Sequence, residues 1–231
     1  MFEDRATPGF FVCSVTMTVE LRITEIFFSL QGEARTVGLP TVFVRLTGCP
    51  LRCGYCDSAY AFYGGNKISL QEILAQVDSF GTQYVCVTGG EPLAQPDARQ
   101  LLKALCDSGK NVSLETSGAM SIADIDPRVS IVMDIKTPGS GESHRNLVEN
   151  IPLLQQRDQV KFVLCSREDY EWARFRINEM RLEQRVGEIL FSPSYGVLNP
   201  RDLAEWIIVD RLPVRMQIQL HKYLWGDVPG V

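Results

Sequence analysis

The 231-residue sequence predicts an α/β fold organised around a parallel sheet. Three observations point there. Short β-branched runs alternate with stretches of helical periodicity, polar turns separate the two, and the β-branched runs are almost continuously apolar, as strands buried on both faces must be. Right-handed βαβ units follow, forming an open doubly wound sheet or a complete or partial barrel.

The first 16 residues mix acidic, basic, Pro and Gly residues and lack the basic start and apolar core of a secretory signal. They read as an N-terminal extension, with one domain spanning residues 17–231. Strands are expected at residues 41–46, 84–88, 112–115, 131–135, 160–164, 189–191 and 215–220. Between them, "SLQEILAQVDSF" places Ile73, Leu74, Val77 and Phe80 on one helical stripe, and Ser69 with Glu72 can form a capping box. "PDARQLLKALCDSG" repeats the pattern with Leu101, Leu102 and Leu105 and stops at Gly109, suited to a left-handed cap. "NPRDLAEWIIV" offers Asn199 as cap and Pro200 at the first helical position. Polar turns collect at the C-terminal ends of the strands: the cysteine loop, "TGGEP", "ETSG", "DIKTP" and "SPSYG". In barrels and open α/β sheets alike, that edge carries the site.

A formal net charge of -5 gives no general attraction for polyphosphate, so nucleic acid is not an expected partner. The longest apolar runs are far shorter than the roughly 20 residues that cross a bilayer, so no membrane association is expected either. Seven cysteines, three clustered and four dispersed, do not resemble a small secreted disulfide framework; a reducing cytoplasm suits them. Cys86 and Cys106 fall within apolar patterns and read as small buried hydrophobes.

"GCPLRCGYCDS" sets Cys49, Cys53 and Cys56 within eight residues, close enough for thiolates to converge on one soft metal centre. Zinc and iron-sulfur are the candidates. Structural zinc takes four protein ligands, and no fourth Cys or His stands nearby, although distant ligands can meet in space. A cubane cluster on three cysteines leaves one iron open.

Cys49-x3-Cys53-x2-Cys56, with Tyr55 before the third cysteine, resembles the cluster signature of the radical S-adenosylmethionine enzymes. "SLQGEARTVGLPTVFVRLTGCPLRCGYCDS" is similar to the opening of the 7-carboxy-7-deazaguanine synthases, and the likeness continues through "TGGEPLAQ", "LETSG", "DIKTP", "KFV", "SPSYG" and "QLHKYLW". Two departures are Ala34 in place of the usual glycine and Ser58 in place of the usual threonine. The resemblance implies an abbreviated or partial (β/α)6-type TIM barrel, and a cytoplasmic homodimer that carries a 4Fe-4S cluster, S-adenosylmethionine and Mg2+ and draws electrons from an external reductant such as flavodoxin. Its small-molecule pterin substrate would be 6-carboxy-5,6,7,8-tetrahydropterin, contracted by a radical route to 7-carboxy-7-deazaguanine with loss of ammonia, on the way to queuosine.

By the same resemblance, Leu30, Gln31, Gly32, Glu33, Arg45, Thr88, His221 and the C-terminal Val231 would meet substrate. Tyr55, Cys56, Asp57, Gly90, Glu91, Asp134, Ile135, Lys136 and the turn Ser192, Pro193, Ser194 and Tyr195 would meet S-adenosylmethionine, with Glu91 accepting from its ammonium. Cys49, Cys53 and Cys56 would hold the cluster and Ser58 the magnesium. Simpler readings stand beside these: an interior ion pair for Arg45, a turn or cap for Gln31, Glu33 and Ser58, a solvated strand end for Lys136, and a core position for His221 at the end of the last strand. The cysteines would equally serve a glycyl-radical-enzyme activating enzyme or a non-catalytic iron-sulfur electron carrier.

Overall fold

The computed structural model describes residues 19–228 and Gly230. The expected extension, residues 1–16, and Val231 lie outside the described residues. Among the described residues, nine strands form a single sheet in the order β3-β1-β2-β4-β5-β6-β7-β8-β9. Strands β2 (Pro40–Leu46), β4 (Tyr84–Gly89), β5 (Asn111–Thr116), β6 (Ser130–Asp134), β7 (Gln159–Leu164), β8 (Glu188–Pro193) and β9 (Arg215–Met216) run parallel. Strands β1 (Glu20–Leu30) and β3 (Asn66–Ser69) extend the β2 edge antiparallel. The sheet is open, as in a partial barrel.

Helix α1 (Leu70–Ser79) carries the expected capping box between Ser69 and Glu72, with Ile73 and Val77 fully buried. Helix α2 (Ala98–Asp107) buries Leu101, Leu102 and Leu105 against the sheet, and Gly109 takes φ +82° after it. Asn199 caps α4 (Pro200–Asp210) by accepting from Arg201 N. Cys86 and Cys106 are both buried.

Two helices and two strands were not expected. β1 alternates cleanly only at Leu21 and Ile23; beyond Glu25 its residues are partly exposed, so the period of two fades. β3 is only four residues long. In α3 (Arg167–Met180) the apolar stripe of Tyr170, Ala173 and Ile177 is narrow among many charges. The strand expected at residues 215–220 is corrected by the structure. Ladder pairing stops at Met216, Gln217 N still donates to Phe191 O, and Leu220 N then turns to Gly32 O as α5 (Leu220–Trp225) begins. His221 therefore sits in the first turn of a helix, not at a strand end.

The hydrophobic core lies between the sheet and helices α1 to α4, joined by Leu21, Val44, Val87, Leu114, Val160 and Phe162 from the strands. Ala34, in the turn from β1 to β2, packs separately with Val132 and Leu190 and adopts φ +62°. Its backbone is clasped from the far end of the sheet, where Gln217 Oε1 accepts from Ala34 N and Arg215 donates to Ala34 O. This draws the turn between β1 and β2 across the sheet toward β8 and β9.

Candidate active site

The C-terminal ends of the parallel strands surround a cavity of about 340 Å3. The cysteine loop follows β2, the Gly-Gly turn follows β4, Asp134 and Lys136 end β6, and Ser192 to Tyr195 end β8. Cys49, Cys53 and Cys56 all line this cavity and are partly exposed. Burial raises all three thiols above their ordinary value, Cys53 to about 11. Among the described residues, no three His, Cys, Asp or Glu side chains converge tightly enough for a single metal ion.

The Gly-Gly turn is set by close packing. A Cβ on Gly90 would lie 2.4 Å from Gly48 O and 2.7 Å from Cys49 Cβ, and one on Gly89 would lie 2.2 Å from Leu46 O. Only glycines let this turn press against the cysteine loop. Glu91 N donates to Gly48 O, which ties the two loops together.

Glu91 itself is placed differently from the expectation. Its carboxylate is wholly buried and accepts from Leu93 N, Thr116 Oγ1, Ser117 N and Ser117 Oγ, so it anchors β4 to β5 instead of lining the cavity. Ile135 is also off the wall. Alternation turns Asp134 and Lys136 into the cavity and sends the Ile135 side chain into the core, where it borders a small apolar void with Met133 and Leu147. Every other expected site residue within the described residues lines the cavity: Leu30, Gln31, Gly32, Glu33, Arg45, Tyr55, Asp57, Ser58, Gly90, Thr88, Ser192, Pro193, Ser194, Tyr195 and His221 with the three cysteines.

Charges organise the walls. Arg45 Nε pairs with Glu25 Oε1 at 2.7 Å, between the rings of Phe27 and Tyr60, and Tyr60 donates to the same carboxylate oxygen at 2.8 Å. The interior ion pair is thus present. Among the described residues it engages only Nε, leaving the two terminal nitrogens for a ligand carboxylate. Glu33 is held by Lys161 at 2.7 Å and by the amides of Gln217 and Gln219 at 3.2 and 3.0 Å. Lys136 pairs with Asp134 at 2.8 Å, so it is no solvated strand end. Burial works against both ammonium charges, but Asp134 beside Lys136 and Glu33 beside Lys161 raise their pKa values.

Helix α5 covers one side. Against the cost of burial, Lys222 at 3.0 Å and Gln219 at 3.1 Å hold the Asp57 carboxyl well below its usual range. Lys222 also lies 4.9 Å from the centre of the Tyr195 ring. A Cβ on Gly32 would collide with His221 Nδ1 at 2.1 Å, which explains glycine there. Sequence reasoning missed Glu25, Tyr60, Lys161, Gln219, Lys222 and Glu115, which lines the cavity at the end of β5 and accepts from Thr88 Oγ1 at 3.0 Å. For Lys161 a signal existed: a charge in mid-strand between Val160 and Phe162.

Two buried polar atoms lining the cavity, Tyr55 Oη and Asp134 Oδ1, have no hydrogen-bond partner among the described residues. Unpaired buried polar atoms are costly, and both of these have hydrogen-bonding capacity to offer a polar ligand in the cavity.

Comparison with known proteins agrees with the geometry. The profile of the Radical SAM superfamily matches residues 43–131. The chain is 46% identical over 215 residues to the 7-carboxy-7-deazaguanine synthase of Chlorobaculum tepidum, covering 91% of this chain and 97% of that one. It belongs to the 7-carboxy-7-deazaguanine synthase family. The family member from Koribacter versatilis is 41% identical, covering 89% of this chain and 97% of its own. The crystal structure of QueE from Escherichia coli shares the fold with a TM-score of 0.72 at 23% identity, over 87% of this chain and 95% of that one. Among the described residues no helix is long and apolar enough to cross a membrane.

Proposed function

We propose that the protein contracts 6-carboxy-5,6,7,8-tetrahydropterin to 7-carboxy-7-deazaguanine with release of ammonia, using S-adenosylmethionine catalytically. The observation that carries this is the meeting of the three cysteines, the Gly-Gly turn and the set Gln31, Glu33 and Arg45 on one cavity, in a chain 46% identical to a 7-carboxy-7-deazaguanine synthase across nearly its whole length. An iron-sulfur electron carrier needs neither the pterin-side set nor a cavity of this size, and a protein-activating enzyme needs an open groove for a peptide.

Cys49, Cys53 and Cys56 would hold the 4Fe-4S cluster; with S-adenosylmethionine bound to it and an electron from an external reductant, it supplies the 5′-deoxyadenosyl radical. The unpaired Tyr55 Oη and Asp134 Oδ1, and the turn Ser192 to Tyr195, would orient the cofactor. On the facing wall, the free nitrogens of Arg45 would grip the substrate carboxylate. Glu33 and Gln31 would take the pterin ring's N–H groups, with Thr88, His221, Leu30 and Gly32 around it. The chain's share is then binding, orientation and exclusion of water. Ser58, whose hydroxyl donates to Asp57 at 2.9 Å, keeps lone pairs for magnesium, an oxygen-seeking ion. The homodimer and Val231 as a substrate contact rest on the family resemblance.

The test is anaerobic cluster reconstitution followed by incubation with the pterin, S-adenosylmethionine, magnesium and a strong reductant. Formation of 7-carboxy-7-deazaguanine without stoichiometric loss of S-adenosylmethionine is expected. Cofactor cleavage without that product would remove the substrate assignment and leave the radical chemistry.

A further inference from the structure

We propose that Lys161 is a positioning residue: its ammonium ties Glu33 on the substrate wall to Asp134 on the cofactor wall and fixes how the two ligands face each other. The inference rests on the functional reading above and adds a residue that reading does not use.

Lys161 stands in the middle of β7. Val160 and Phe162 on either side are completely buried in the core, so strand alternation turns Lys161 into the cavity. Its Nζ lies 2.7 Å from Glu33 Oε2 and 3.8 Å from Asp134 Oδ2. The two carboxylates differ in what else holds them. Asp134 has a nearer cation, Lys136 at 2.8 Å, whereas among the described residues Lys161 is the one cation paired with Glu33, whose other partners are neutral amides.

Glu33 belongs to a turn, and a turn alone positions a side chain loosely. A central strand of a sheet is far more rigid, so a lysine anchored there transmits the position of the sheet to the turn. The same ammonium reaches Asp134 at the end of the neighbouring strand β6. Removing it would free the Glu33 carboxylate to shift relative to the cofactor wall, although the backbone of its turn stays clasped by Gln217 and Arg215, and a misplacement of about 1 Å costs roughly 100-fold in a reaction governed by close approach.

The test begins with binding. Reconstituted protein, kept anaerobic and without reductant so that nothing turns over, is titrated calorimetrically with 6-carboxytetrahydropterin. Wild type is compared with Lys161→Met, Glu33→Gln and the double variant. Lys161→Met should weaken pterin binding roughly tenfold or more, the scale of a lost charge-assisted hydrogen bond. In the Glu33→Gln background the same change should add nothing, because the ammonium acts through that carboxylate. The double variant buries neither charge of the pair, so this second comparison holds even where Lys161→Met alone is unstable. In turnover, Lys161→Met should raise the ratio of 5′-deoxyadenosine released to product formed, and Lys161→Arg should bring it part of the way back. Independent, additive losses from the two substitutions overturn the proposal while the functional reading stands. A wild-type protein that binds S-adenosylmethionine but no pterin overturns the reading and the proposal with it.

Discussion

Gly90→Ala puts one methyl group where the structure leaves no room for it. Its carbon would lie 2.4 Å from Gly48 O and 2.7 Å from Cys49 Cβ, whereas ordinary contact begins near 3.4 Å. One of the two loops must therefore retreat by roughly 1 Å, and neither is free to do so. Gly90 N donates to Leu46 O at 3.2 Å and Glu91 N to Gly48 O at 2.8 Å, so the turn is tied both to the end of β2 and to the start of the cysteine loop. Overpacking of this kind costs about 1–3 kcal/mol. For a domain of this size each kcal/mol lowers Tm by roughly 2–4 °C. The larger effect should fall on Cys49, whose displacement lowers the iron content attained on reconstitution and the affinity for S-adenosylmethionine. Gly54→Ala is the control. Gly54 lies between Cys53 and Cys56, yet a Cβ there would meet no atom of the described residues within 4 Å, so stability and iron content should stay at wild-type levels. The measurements are thermal melting by circular dichroism, iron and sulfide per chain, and calorimetric titration with S-adenosylmethionine. Equal behaviour of the two variants, whether both harmless or both damaging, would refute the steric argument.

Three further outcomes are expected. Arg45→Ala should impair pterin turnover while iron content and uncoupled cofactor cleavage persist; loss of the cluster in that variant would count against a substrate role. Ala34→Gly relieves a left-handed backbone at φ +62° but gives up a buried methyl, so stability measured by denaturant titration should change by less than about 1 kcal/mol. Tyr170 donates to Asp210 at 2.7 Å, and this bond, with Arg174 and Arg167, holds the Asp210 carboxyl below its usual value. A depressed folded-state pKa stabilises the protein above the unfolded value near pH 4, and the contribution is lost as pH falls through the folded value. Tyr170→Phe should therefore be less stable than wild type at pH 7, with the gap narrowing on acidification; a gap that widens in acid would contradict the assignment.

The parallel sheet was legible because its strands are buried on both faces, which writes nearly continuous apolar runs such as residues 84–87 into the sequence. α3 was hidden because charged residues crowd the narrow stripe of Tyr170, Ala173 and Ile177. The last strand was overread. Met216, Ile218 and Leu220 repeat with the period of a strand, but pairing ends when Leu220 N finds Gly32 O instead of a neighbouring strand. Motifs located the site better than they assigned its parts. "TGGEP" marked the right turn, yet the glycines are there to fit beneath the cysteine loop and Glu91 satisfies buried donors on β5. Lys161, Gln219 and Lys222 act through partners more than 100 residues away, a relation no local pattern records.

The clasp between the turn after β1 and the segment around β9 has a consequence for the order of assembly. The bonds Ala34–Gln217, Ala34–Arg215 and Glu33–Gln219 join residues 183, 181 and 186 positions apart. Contacts of such span bear the largest loop-closure entropy in the chain and reward it only after the intervening strands have paired. During synthesis the cysteine loop leaves the ribosome more than 160 residues ahead of α5, which later covers one side of the cavity. The nascent sheet therefore presents its thiols before α5 is made, and the docking of that helix adds one wall to a ledge that already exists.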